Sequence, residues 1–154
     1  MTLPEDFAAF ILTHGRPNAQ LTLRTMRVAG YTGPCYFIVD DEDETLAEYQ
    51  KLYGDQVIVF SKREIGEAFD IGDNFGDEGS WAKTIFYARN ANWDLAEKLG
   101  YRYFIMLDDD YHQWRFRWNE HLVHEWIPIT DLDSVFAAML DWFRTLPEQV
   151  VTVA

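Results

Sequence analysis

Short, uniformly apolar runs alternate with amphipathic stretches along the first two thirds of this chain. Residues 7–13 (FAAFILT), 35–39 (CYFIV), 57–60 (VIVF) and 103–107 (YFIML) are too short for helices and lack the polar positions of a half-exposed strand. Such runs predict strands buried on both faces of a parallel sheet. Between them, residues 20–29 place Leu21, Leu23, Met26, Val28 and Ala29 on a helical stripe that Gly30 stops. Residues 44–53 form a second amphipathic stretch closed by Gly54. Residues 81–99 form a third, with Ser80 as N-cap and Gly100 as its stop. Strand and helix in alternation imply right-handed crossovers, and so an α/β fold with a mostly parallel central sheet and flanking helices.

The pattern changes elsewhere. Residues 61–79 carry Gly66, Gly72, Gly76 and Gly79 among charges and read as a long loop, either a binding lid or a surface excursion. Residues 114–118 (WRFRW) alternate aromatic and basic, which predicts a half-exposed strand with residues 122–129 as antiparallel partner. Its aromatic residues read first as packing and second as a surface for stacking bases or sugars. Residues 131–143 form a helix whose apolar face holds Leu132, Val135, Phe136, Met139, Leu140 and Phe143. Residues 150–153 (VVTV) read as the opening of a further buried strand. The expectation is therefore one domain over 1–154, incomplete at its C-terminus.

Charge and composition narrow the function. The formal charge is −13, which argues against a broad non-specific basic footprint for nucleic acid but leaves room for a local basic groove. The single cysteine, Cys35, lies in an apolar run and reads as a buried thiol in a reducing compartment. No segment approaches membrane-spanning length, and the acidic Glu5 and Asp6 are unlike a secretion signal. The expected location is cytoplasmic, with no membrane partner.

The chemistry collects where strands end. Asp108, Asp109 and Asp110 follow one strand, Asp40 and Asp41 another, and Thr13 to Arg16 a third. The carboxyl edge of an open parallel sheet is where such folds bind nucleotides. Adjacent carboxylates suit Mn2+ or Mg2+ carrying phosphate. In an extended chain Asp108 and Asp110 share one face and Asp109 takes the other. Asp40 or Asp41 suits a base edge or ribose, and Arg16, Lys83 and Arg89 suit a diphosphate. The four histidines and the acidic run of residues 42–44 read as solvated or structural.

In this order, T-x-x-R at Thr13 and Arg16, Asp40-Asp41, Ala88-Arg89-Asn90 on a helix, and a hydrophobic strand ending Asp-x-Asp resemble the GT-A glycosyltransferases. The resemblance covers about residues 7–127, the nucleotide-sugar half of that Rossmann-like fold. More narrowly, ILTHGRP, YFIVDDED, YARN and FIMLDDDYHQW are similar to the glycosyltransferases associated with TET-type dioxygenases in bacteriophages. The resemblance implies a metal-dependent glycosyltransferase with a nucleotide-sugar donor, expected to be a UDP-sugar, and hydroxymethylpyrimidine in phage DNA as acceptor. It places Asp108 and Asp110 as catalytic, metal-holding residues. Thr13, Arg16, Asp40, Asp41, Lys83, Arg89, Asn90 and Asp109 then form the nucleotide-sugar site. The alternatives are a non-catalytic nucleotide-sugar-binding module or fragment, and a nucleotidyltransferase.

Overall fold

The structure, a computed structural model, describes residues 2–68, 85–148 and 150–152. Strands β1 (Phe7–Leu12), β2 (Cys35–Asp40), β3 (Val57–Phe60) and β4 (Tyr103–Asp108) form one parallel sheet in the order β3-β2-β1-β4. Strand β1 is buried along its whole length. Its alternate residues feed two cores, as the period of two requires. Phe7, Ala9 and Ile11 meet Met26 and Ala29 at helix α1 (Leu21–Val28), Tyr49 of α2 (Leu46–Tyr53) and Leu132, Phe136 and Leu140 of α5 (Leu132–Phe143). Ala8, Phe10 and Leu12 meet Tyr87, Ala91 and Leu95 of α4 (Phe86–Leu99), with Ile65 of α3 (Lys62–Ala68) against the same core. Each large apolar side chain so buried contributes about 1.5–3 kcal/mol.

Helix starts and stops follow local chemistry. The Asp131 carboxylate accepts from Ser134 N–H at 3.0 Å and caps α5. Gly30, at φ +87°, ends α1 where a Cβ would lie 2.5 Å from the Thr130 carbonyl. That close approach lets Leu132 N–H donate to Ala29 O at 2.8 Å and docks α5 on α1.

Several expectations need correction. Strand β4 is only partly buried, because it is the sheet edge among the described residues and borders an apolar groove of about 710 Å3 with Trp93 and Phe143. Val28 points to solvent, while Thr22 takes the buried position on α1, since its hydroxyl is used inside. Residues 61–79 do not begin as a loop. Lys62 N–H donates to the Asp41 carboxylate at 3.1 Å and Ile65 reaches the core, so α3 forms there. Residues 150–152 are in no strand. Ser80 and Lys83 lie outside the described residues.

A separate antiparallel hairpin, β5 (Arg115–Trp118) and β6 (His124–Pro128), follows β4, as expected from its alternation. Only the root of that aromatic strip packs inward. Trp114 lies against Phe136 and donates to Thr25 Oγ1 at 3.2 Å, whereas Phe116 and Trp118 are exposed. Among the described residues no helix is long and apolar enough to cross a membrane.

Candidate active site

The carboxyl ends of all four strands carry charged side chains, and two networks organise them. The first lies between β1 and β4. The chain turns directly after Asp108 instead of running on extended, so Asp109, at 1% exposure, points inward. Its Oδ2 accepts from Thr13 Oγ1 at 2.6 Å, and its Oδ1 holds the Arg16 guanidinium at 2.8 Å. Thr13 Oγ1 also pairs with the Tyr49 hydroxyl at 2.6 Å and accepts from Gln20 Nε2 at 2.8 Å. The Tyr49 hydroxyl in turn accepts from Arg16 N–H at 3.0 Å. Burial, only partly offset by these hydrogen bonds, raises the Tyr49 pKa, so the phenol stays protonated as the network needs. Among the described residues Gln20 Oε1 is a buried acceptor with no partner.

Thr22 builds the same corner from the other side. Its hydroxyl donates to Asp108 O at 2.5 Å and accepts from Tyr111 N–H at 2.9 Å. The N–H groups of Leu21 and Thr22 both donate to Asp109 O at 3.1 Å. The start of α1 therefore grips the backbone on both sides of the acidic turn. Asp108 is half-exposed, with Oδ1 3.3 Å from the Arg89 guanidinium. Asp110 is exposed and has no hydrogen-bond or ion-pair partner among the described residues. Asn90 uses its amide on its own helix, donating to Phe86 O at 2.8 Å.

The second network lies between β1, β2 and β3. Asp40 is buried, with Oδ2 2.7 Å from His14 Nδ1 and Oδ1 2.8 Å from Lys62 Nζ. The Lys62 side chain is itself only 8% exposed. Asp43, also buried, accepts from Gly15 N–H at 2.7 Å and from both the hydroxyl and N–H of Thr45 at 2.7 Å. Burial opposes its charge, but those hydrogen bonds and His14 outweigh it and hold the carboxyl below its ordinary pKa. Gly15 turns at φ +69° to present that N–H, a conformation glycine adopts without strain. His14, Asp40 and Asp43 place one ligand atom each within 4.8 Å of the others, a group that could hold a metal ion.

The expected residues thus fall into distinct places. Thr13, Arg16 and Asp109 form one unit, Asp108 pairs with Arg89, Asp40 lies at the centre of the second network and Asp41 borders it. Sequence reasoning passed over Tyr49, Gln20, Thr22, Asp43 and Lys62. Asp43 was read as solvated, yet it is tied down by the β1 loop. Lys62 lies two residues past the end of β3, near the edge that selected Asp40 and Asp108, so its closeness to a strand end was the available signal.

A parallel sheet with helices on both faces, and charged groups gathered where the strand order reverses beside β1, defines a Rossmann-like protein of the GT-A type. The TET-Associated Glycosyltransferase family matches residues 7–154, and the chain belongs to that family. It is a glycosyltransferase. No curated protein and no solved structure matches it.

Proposed function

We propose that the enzyme takes its sugar from a nucleotide-sugar donor, a UDP-sugar, laid across the carboxyl ends of β2, β1 and β4. In this reading a Mn2+ or Mg2+ ion sits on Asp108 and Asp110, and the acceptor is hydroxymethylpyrimidine in DNA. The supporting observation is the acidic turn itself. It presents exposed carboxylates beside an Arg16 guanidinium that Asp109 and Thr13 hold in place.

The residues suit the ion. Among the described residues Asp110 has no partner and the Asp108 carboxylate meets only an arginine tip, so both offer hard oxygen donors at little cost. The His14, Asp40 and Asp43 group suits it less, because an ion there must displace the Lys62 ammonium from Asp40. When bound, the cation neutralises charge on the departing nucleoside diphosphate. Arg16 and Arg89 take the phosphate oxygens, with Lys83 as a further cation. Asp40 and Asp41 accept hydrogen bonds from ribose or base. To reach Asp40 the ligand displaces the His14 ring, whose side chain is 61% exposed. In this reading Asn90 of α4 completes the donor site, with its amide nitrogen bonded to Phe86 O. Asp109 and Thr13 act through Arg16, since their polar atoms are already committed.

Thermal unfolding with nucleoside diphosphates and nucleotide sugars, with manganese or with chelator, tests this. A ligand that binds only the folded state raises the midpoint. The expected result is a metal-dependent rise with one uridine nucleotide that Asp110→Asn abolishes. An undiminished rise in Asp110→Asn would refute the metal assignment, and no rise with any nucleotide would refute the donor site.

A further inference from the structure

The β5–β6 hairpin carries a chain of contacts the donor site does not use. The guanidinium groups of Arg115 and Arg117 lie 5.4 and 5.7 Å from the Trp126 ring centroid. The Trp126 ring meets His124 at 5.7 Å, and His124 meets Trp118 at 5.3 Å. Trp118 and Trp126 are each 55% exposed. Among the described residues neither arginine has a carboxylate partner, in contrast to Arg16, Arg63, Arg89 and Arg144. Exposed aromatic area of this kind marks an interaction surface.

Its chemistry selects the partner. A protein of net charge −13 repels a polyanion overall, so docking one requires a local island of uncompensated cations. Stacking platforms interleaved with such cations match a strand that alternates π-faces with phosphates. A neutral glycan uses the rings and leaves the guanidinium groups idle, and an acidic peptide does the reverse.

Position supports the same choice. Arg115 follows Asp110 by five residues, at most about 18 Å of extended chain. The stem is fixed by Trp114, whose carbonyl accepts from Ile129 N–H at 2.9 Å to close the hairpin base. Enzymes acting on a nucleobase work on single-stranded substrate or extrude the base from the duplex, and an unpaired base is the kind of group this face can stack.

We propose that this face docks single-stranded nucleic acid, with bases on Trp118 and Trp126 and phosphates on Arg115 and Arg117. The inference rests on the reading of DNA as acceptor, and names the element that holds the acceptor strand.

Fluorescence anisotropy with a labelled single-stranded oligothymidylate over a salt series tests it. Binding should weaken with salt by a log–log slope of about −0.7 for each phosphate neutralised. The double substitution Arg115→Gln, Arg117→Gln should flatten that slope by about 1.4, two contacts at that value each. Trp126→Ala should weaken binding about five- to hundredfold, with Trp126→Phe recovering most of it. Melting midpoints within experimental error of the parent confirm that the exposed substitutions leave the fold intact. Three results overturn the proposal: no binding at low salt, binding indifferent to these substitutions, or a neutral glucan quenching tryptophan fluorescence in place of the oligonucleotide. The nucleotide melts run in parallel on the unsubstituted chain separate the two readings. A donor-induced rise without oligonucleotide binding removes this inference alone, and the converse removes the donor site alone.

Discussion

Replacing Lys62 by methionine is the sharpest test of the second network. The Lys62 ammonium lies 2.8 Å from Asp40 Oδ1, and both side chains are nearly fully buried. Methionine keeps the length and most of the apolar stem, so the packing of α3 is little changed. What changes is that Asp40 keeps a buried charge with His14 and the Glu42 N–H as its remaining partners. Breaking one side of a buried pair costs about 3–5 kcal/mol, because the surviving ion stays desolvated. For a domain of this size that lowers the melting midpoint by about 6–20 °C. Adding Asp40→Asn removes the stranded charge, so the double variant should be more stable than Lys62→Met alone, with a coupling of about 2–3 kcal/mol. Denaturant melts of the four proteins in the cycle measure this directly. A Lys62→Met loss under 1 kcal/mol, or additive single effects, would refute the claim that the pair is a mutually dependent buried unit.

Asp43→Asn should separate from the parent in a pH-dependent way. The folded carboxyl has a lowered pKa, so its stabilisation is complete above the ordinary carboxylate value and is lost as pH falls through the folded value. The gap between parent and variant midpoints should therefore be wide at pH 7 and narrow toward pH 3; a constant gap excludes the charge as its source. Gly30→Ala should cost about 2 kcal/mol or more, combining a positive φ with a Cβ 2.5 Å from the Thr130 carbonyl, read as a lowered midpoint in urea. If instead the alanine variant matches the parent, the α1–α5 junction is not held as described.

Much of the fold was legible in the sequence because its signals are local. An apolar run of four to seven residues has few ways to hide except as a buried strand, and helical stripes closed by Gly30, Gly54 and Gly100 mark their own ends. The strand ends could then be recognised as the edge where charged groups gather, which singled out Thr13, Arg16, Asp40 and Asp108 to Asp110 as candidates. Only the tertiary structure decided which way each side chain faces and what it meets. Three adjacent aspartates look equivalent in sequence, yet one turn after Asp108 sends Asp109 to Thr13, 96 positions away, and leaves Asp110 in solvent. Asp43 and Glu42 are neighbours of the same type, but the β1 loop closes over only one of them. Tyr49 and Lys62 draw their roles from partners on other strands' loops. Periodicity is set by each residue's own backbone and reads directly from order along the chain. Desolvation and pairing depend on groups that only folding brings within about 3 Å, and those decided how the side chains at this edge are joined.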